Sequence, residues 1–204
     1  MPQCSKRWRP STHSLLRMLG WRRLDPKEVH FLATHFGAVQ AAALAQHLWL
    51  GVRRVGDTRR AMSLGLGWVS LPKACFEEAD PAQALRVEHP VVAGVFAHEV
   101  LHALQRQVGM RVTWPALLLQ MRWLCGGHSP YVYFSCEDAR AQLRAFWQAN
   151  VEQQGQMWQD HVQRCVAGSC SLSSRWMVQA VQSGRLRRKR ARKFKGFGGV
   201  ASRT

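Results

Sequence analysis

Apolar residues recur at helical spacing in several segments of the chain, and the residues at the segment ends are typical of helix boundaries. Asp25 followed by Pro26 predicts the start of one helix, with Asp25 at the N-cap. Pro90 predicts the start of a strongly apolar helix that ends near Gln107. The same spacing predicts further helices over residues 39–47, 114–124 and 138–164.

Two short segments have the composition of β-strands. The first covers residues 48–55, and the second covers residues 63–71 and is ended by Pro72. The second contains Gly65 and Gly67, which indicate a sheet edge, a bulge or the close approach of another chain. Helices and strands in this order predict an α+β fold.

The charge of the chain is concentrated at its two ends. The net charge is +17, and residues 1–23 and 185–204 hold six and nine basic side chains without an acidic one. We therefore predict a basic N-terminal extension over residues 1–24, one domain over 25–184 and a basic disordered tail over 185–204. The basic ends are expected to make nonspecific contact with polyanions at low salt.

Two further features bear on the compartment. The longest apolar stretch, residues 36–52, is interrupted by polar side chains, so no transmembrane segment is expected. The six cysteines are scattered without a CxxC pair, and the N-terminal residues lack the features of a secretory signal. These observations predict a cytoplasmic protein with reduced cysteines, and they leave export by a dedicated secretion system open.

The central apolar helix carries the motif His98-Glu99-Val-Leu-His102. Histidines four positions apart lie on one face of a helix, so both imidazoles can reach the same metal ion. Glu99 then lies beside the ion rather than on it, where its carboxylate can act as a general base on water. The motif therefore predicts one zinc ion per chain and a catalytic role for Glu99.

A catalytic zinc site needs a third protein ligand and an open fourth position. The extended motif that supplies a third histidine is absent, because Gln105 and Val108 stand at its glycine and histidine positions. A carboxylate farther along the chain is therefore expected. Spacing does not choose among four carboxylates, which are Glu137, Asp138, Glu152 and Asp160. Two histidines are weaker candidates, His128 and His161.

The segment from residue 98 to residue 160 resembles a family of bacterial zincin metallopeptidases that are often encoded near Rhs and type VI secretion components. The family pattern is HExxHxxQ, then Pro-Tyr-x-Tyr, then N-[IV]-E-Q-Q-[AG]-x-[IM]-x-x-D, and the chain matches it at residues 98–105, 130–133 and 150–160. The resemblance covers residues 25–165. It implies a zincin-like domain with an active-site helix, a small flanking sheet and a long C-terminal helix that carries a ligand.

The resemblance also implies a glutamate-zincin arrangement, in which Glu152 is the third zinc ligand. Glu137 stays a rival, because the family pattern does not lead us to expect acidic residues in that connecting segment. Tyr131 and Tyr133 lie between the two ligand-bearing helices, where either could donate a hydrogen bond to the transition state or serve only in packing. Three residues could hydrogen-bond the ligands or simply be polar helix residues: Gln105, Asn150 and Gln153.

These features predict a zinc-dependent metallopeptidase that hydrolyses peptide bonds in a protein or peptide substrate. Two alternatives stay open. The domain could be a metal-stabilised interaction module of a secretion or toxin cassette, without turnover. It could also be a protease that acts at nucleic acid and is anchored there by its basic ends.

Overall fold

A computed structural model describes residues 20–187, and its α+β architecture confirms the predicted fold class. The strands are β1 (Trp21–Arg22), β2 (Trp49–Val52), β3 (Met62–Leu64) and β4 (Trp68–Leu71). The helices are α1 (Pro26–Phe36), α2 (Ala38–Ala45), α3 (Pro90–Gln107), α4 (Thr113–Leu124), α5 (Ala139–Gln148), α6 (Val151–Val166) and α7 (Arg175–Gln182). Within residues 20–187, none of the helices combines the length and the apolar character needed to cross a bilayer.

The strands form one mixed sheet in the order β1-β2-β4-β3. β2 and β4 are parallel, and β1 and β3 pair antiparallel on the two outer sides. The prediction of a single strand over residues 63–71 was wrong, because a 3₁₀ turn at Gly65–Gly67 separates β3 from β4. Gly67 has a φ of +81°, and a Cβ there would lie 2.6 Å from the His47 carbonyl oxygen. Residue 67 therefore needs a glycine, because another segment of the same chain comes close to it.

Helix α1 begins at the predicted cap and joins three parts of the molecule. The Asp25 side chain accepts a hydrogen bond from the Lys27 N–H, and the Glu28 carboxylate accepts one from the Asp25 N–H. The same buried carboxylate accepts two hydrogen bonds from the Arg22 guanidinium and one from the Leu85 N–H. Glu28 thus holds β1, α1 and the loop before α3 together.

The residues around both predicted domain boundaries pack on the domain. Residues 20–24 include β1, which pairs with β2. At the other end Leu186 is buried, and Trp147 donates a hydrogen bond to the Arg185 carbonyl. The remaining parts of the two predicted tails, residues 1–19 and 188–204, lie outside the described residues.

The prediction of one long helix over residues 138–164 was wrong, because the chain leaves the helical conformation at Ala149 and Asn150. The Asn150 side chain accepts a hydrogen bond from the Gln153 N–H, and the Gln153 side chain accepts one from the Asn150 N–H. This reciprocal capping box starts a new helix. Glu152 therefore lies in the first turn of α6, which can take its own direction relative to α5.

Helix α3 runs through the centre of the domain, and α6 packs along it. Residues 96–105 of α3 are all buried, although this stretch includes two histidines, a glutamate and a glutamine. Large apolar side chains of this pair and of neighbouring helices form the interior; the fully buried ones include Phe36, Phe96, Leu101, Leu104, Phe146 and Trp158. Because such a packed interior resists displacement, the relative position of α3 and α6 is well defined.

The expectation of reduced cysteines differs from the structure at one pair, because Cys165 and Cys170 are joined as a disulfide. Helix α6 ends just after Cys165, and the chain turns back at Gly168, whose φ is +78°. This turn brings two cysteines together whose spacing does not match the CxxC pattern.

Candidate metal centre

Three polar side chains of α3 lie in the otherwise apolar interior. His98 and His102 are one helical turn apart on the face that meets α6, and Glu99 follows His98. All three side chains are less than a tenth exposed. Because buried polar groups are costly unless they are paired or bind a metal, this cluster needs partners from another element.

Helix α6 supplies that partner. The Nε2 atoms of His98 and His102 are 3.1 Å apart, and the Glu152 Oε2 atom lies 3.5 Å from the first and 3.6 Å from the second. Ligand atoms at about 2.0–2.2 Å from a tetrahedral zinc ion are separated by about 3.3–3.6 Å. The two distances to Glu152 fall in this range and the distance between the histidine atoms is slightly shorter, and the three side chains form a candidate metal-binding group.

The close approach of α6 to the histidines depends on a glycine one turn beyond Glu152. A Cβ at Gly155 would lie 2.6 Å from Cε1 and 2.7 Å from Nε2 of His98. A larger side chain would therefore displace the imidazole or separate the two helices.

Two buried glutamine side chains hold the imidazole of His102, the second candidate ligand, in place. The Nδ1 atom of His102 lies 2.8 Å from Gln105 Oε1, which accepts its proton and leaves Nε2 free to bind a metal. The Gln105 amide then donates to Gln154 Oε1, and the Gln154 amide donates to the carbonyls of Phe146 and Leu186. Gln105 thus lies where a supporting residue was predicted, whereas sequence reasoning missed Gln154.

The charges of the three groups are coupled. Burial by itself would raise the pKa of Glu152, but hydrogen bonds and charge interactions with His102 and His98 hold this pKa well below its usual range. Burial by itself would lower the pKa of His102, but the Glu152 carboxylate, helped by Glu99, raises it. Glu152 is therefore an anion that attracts positive charge into the site, whether that charge is a proton or a metal ion.

An open cleft of about 680 Å³ reaches the cluster from the surface. Glu99 lines this cleft together with the candidate ligands, and it also lines a neighbouring cavity of about 430 Å³. Glu99, which the motif predicts to be a general base, therefore lies at a cleft that is open to the surface. The candidate ligands line the same cleft.

Only one of the two predicted tyrosines lies at this cleft. Tyr131 lines both cavities, and its ring centre is 6.1 Å from that of His98. Its hydroxyl accepts a hydrogen bond from Gln120, which leaves the hydroxyl proton for donation. Burial and the Glu152 charge raise the pKa of Tyr131, so the hydroxyl stays protonated at neutral pH. Tyr133 instead donates to the Asp160 carboxylate.

Asn150 and Gln153, also predicted as supporting residues, do not hydrogen-bond the ligands. They form the capping box of α6, and their side-chain amides donate to the carbonyls of Pro130 and Val132. These bonds hold the segment that carries Tyr131 against the start of the ligand-bearing helix. The two residues therefore support the site indirectly, because they fix the backbone of the segment that carries Tyr131.

The other ligand candidates lie away from the histidine pair. Glu137 is exposed in the segment before α5, and Asp138 caps that helix by accepting a hydrogen bond from the Ala141 N–H. Asp160 accepts hydrogen bonds from Tyr133 and Gln156. His128 is exposed. His161 is buried near the other end of α6, beside the paired cysteines.

Arginines give the cleft a basic rim. Arg53, Arg59 and Arg60 line the two cavities, and the Arg60 guanidinium lies 5.2 Å from the Trp123 ring centre. Arg106 lies deeper and donates hydrogen bonds to the side chain and the carbonyl of Ser63, which fastens α3 to the edge strand β3. Apart from the buried glutamates, the acidic group of the rim is Asp57.

A comparison of the chain with protein-family models, with curated proteins and with solved structures finds no match.

Proposed function

We propose that the protein is a zinc-dependent metallopeptidase of the glutamate-zincin type. The observation that carries this proposal is the convergence of His98 Nε2, His102 Nε2 and Glu152 Oε2 in one buried cluster, with Glu99 at the adjoining cleft. Two imidazoles and a carboxylate are a common ligand set of catalytic zinc. The resemblance of residues 98–160 to secretion-associated zincins supports the same assignment.

Each residue of the cluster has a chemical role in this proposal. His98, His102 and Glu152 would hold the ion, which when bound supplies the Lewis acidity that lets water lose a proton near neutral pH. The Glu99 carboxylate takes that proton as the water attacks the peptide carbonyl, and it later passes the proton to the leaving amine. The Tyr131 hydroxyl donates a hydrogen bond to the oxygen of the substrate carbonyl as negative charge develops there.

Replacing Glu99 by glutamine tests the proposal, because the amide keeps the shape of the side chain and cannot accept the proton. We expect Glu99→Gln to keep its zinc, measured by elemental analysis, and to lose about 10²–10⁴-fold in kcat against a peptide that the parent cleaves. Glu88→Gln, an exposed change just before α3, is the matched control and should behave like the parent.

The substrate for this test comes from digestion of a peptide library by the parent protein, followed by mass spectrometry. A Glu99→Gln variant that binds zinc and cleaves as fast as the parent would overturn the assigned role of Glu99. A zinc-loaded parent that is inert against the whole library would instead favour an interaction module.

One observation favours the interaction module as the second candidate. Helix α4 has no buried residue and presents several large apolar side chains to solvent: Trp114, Leu117, Leu118, Met121 and Leu124. Exposed apolar clusters of this kind are typical of protein–protein contacts. Because α4 also lines the cleft, a partner protein seated on this helix would lie next to the metal centre. The basic ends required for nucleic-acid anchoring lie largely outside residues 20–187.

A further inference from the structure

The C-terminal end of α6 brings a second group of metal-ligating side chains together. His161 and Cys165 are four residues apart on the same helical face. The helix then ends with hydrogen bonds from the Gly168 N–H to the Cys165 carbonyl and from the Ser169 N–H to the Arg164 carbonyl, and the chain reverses. This reversal places Cys170 against the last turn, where its sulfur is bonded to that of Cys165.

The imidazole of His161 is buried next to these sulfurs. Only a twentieth of this residue is exposed, and its ring packs on the Trp158 indole with 5.2 Å between ring centres. Among residues 20–187 the ring has one hydrogen-bonding partner, the Cys165 sulfur, which lies 3.6 Å from Nε2 and 3.8 Å from Nδ1. Sulfur is a weak partner for a buried imidazole, so this ring has ligand capacity that the protein itself does not use.

We propose that in the reduced protein His161, Cys165 and Cys170 bind a thiophilic divalent cation, zinc above all, and that the disulfide and the metal site are alternative states of the same residues. The potential ligand atoms of the three side chains all lie within 4.8 Å of one another. Two thiolates at about 2.3 Å and one imidazole at about 2.0–2.1 Å form a common zinc ligand set, with water as the fourth ligand.

The two states differ by a balanced redox step. A dithiol reductant breaks the S–S bond by delivering two electrons and two protons, and it becomes a disulfide itself. The two protein thiols then release their protons to water as their sulfurs bind the ion. Cys170 is exposed in the loop after α6, so reductants can reach it and its sulfur can move away from Cys165 to make room.

This site is separate from the His98 cluster, although both use α6. His161 is nine residues beyond Glu152, which is about 13 Å along a helix. The ligand chemistry also differs, because the His98 cluster contains no sulfur. A spectroscopic signal from metal–thiolate bonds therefore reports on the second site alone, whether or not the proposed peptidase function is correct.

Cobalt(II) is the probe for the test, because it replaces zinc in such sites and gives a near-ultraviolet charge-transfer band when thiolate is bound. The full-length protein is treated with dithiothreitol, freed of reductant under nitrogen and titrated with Co²⁺. We expect one equivalent of the thiolate band in the reduced parent, no band after oxidation by glutathione disulfide, and its return on renewed reduction. Excess Zn²⁺ should abolish the band.

Variants then assign the band to its ligands. Cys165→Ser and Cys170→Ser should lose most of it, and His161→Ala should weaken Co²⁺ binding by at least ten-fold. Cys136→Ser changes a cysteine outside the cluster, and His98→Ala changes the other candidate site, so both should keep the band. A reduced parent without the band, or a band that survives in Cys165→Ser, would overturn the proposal. A far-ultraviolet circular dichroism spectrum like that of the oxidised parent, recorded for the reduced parent and for each variant, excludes misfolding as the cause of a missing band.

Discussion

The two candidate histidine ligands differ in what holds their second ring nitrogen. His102 Nδ1 is bonded to Gln105, whose amide is bonded to Gln154, and that residue is fastened to backbone carbonyls. His98 Nδ1 is buried without a hydrogen-bond partner among residues 20–187. A ring held by a second bond loses less freedom when its other nitrogen binds a metal, so Gln105 is expected to contribute to metal affinity.

Gln105→Leu tests this contribution, because leucine keeps most of the volume and removes the bond to His102. We expect zinc affinity to fall by about 10–100-fold, measured by competition with a chromophoric chelator. Gln107→Leu, on an exposed position of the same helix, is the matched control and should bind zinc like the parent. Equal affinities for the two variants would contradict the assigned role of Gln105.

The positions of single atoms favour Glu152 over Glu137 as the third ligand. The Glu152 carboxylate lies within 3.6 Å of both imidazoles, whereas Glu137 is exposed. We expect Glu152→Gln to be purified without zinc and Glu137→Gln to keep one ion per chain, as elemental analysis would show after dialysis against a weak chelator. Retention of zinc by Glu152→Gln together with its loss from Glu137→Gln would assign the ligand to the rival.

At the scale of elements, Glu28 connects β1, α1 and the loop that precedes α3. Its carboxylate is fully buried and accepts hydrogen bonds from Arg22 and from two backbone N–H groups. The Arg22 side chain is itself largely buried. Removing one partner of a buried charge pair leaves the other charge uncompensated, which is among the costlier single changes in a protein.

Glu28→Ala is therefore expected to lower the free energy of unfolding by about 3–5 kcal/mol, measured by urea denaturation. The matched control is Glu77→Ala, which removes the exposed pair between Glu77 and Lys27 at the same end of α1. That variant should unfold at nearly the parent midpoint, because solvent screens exposed pairs. A similar loss of unfolding free energy in the two variants would contradict the prediction that the buried pair contributes more than the exposed pair.

The separation of α5 from α6 is the element-scale feature that forms the candidate metal centre. One uninterrupted helix over residues 138–164 would have to follow the axis of α5. The chain instead extends at Ala149, and the Asn150–Gln153 capping box starts α6 along α3. Glu152 and Gly155 then face the histidines together, the first as a candidate ligand and the second as the space that the His98 ring needs.

At the scale of the whole molecule, charge favours anionic substrates at the cleft. The rim carries Arg53, Arg59 and Arg60 against Asp57. A divalent ion on the ligand cluster would offset the two buried glutamates and leave the rim arginines to dominate the local potential. Such a field raises the local concentration of acidic peptides.

If the protein is a peptidase, peptides with Asp or Glu near the scissile bond should be cleaved with a higher kcat/KM than matched peptides with Lys. Arg60→Gln should reduce the preference by about five-fold at most, the size expected for one exposed ion pair. The control is Arg54→Gln, which changes an exposed arginine that does not line the cleft. The preference should also shrink as salt rises, and a salt-independent ratio would argue against an electrostatic origin.

The sequence by itself determined the features that depend on local spacing and local chemistry. The helix starts at Asp25 and Pro90, the shared helical face of His98 and His102, and the α+β order of elements follow from residues a few positions apart. The Asn150-x-x-Gln153 signal was also present, but the continuous helical periodicity on both sides of it favoured a single helix.

Tertiary structure decided what depends on residues far apart in the chain. Whether Glu152 or Glu137 meets the histidines, whether Tyr131 or Tyr133 reaches the cleft, and which glutamines hold His102 all depend on how α6 packs across α3. The pairing of Cys165 with Cys170 likewise depends on the chain reversal after α6. Periodicity specifies which face of an element is buried, but only close packing of whole elements specifies which atoms meet across the interface.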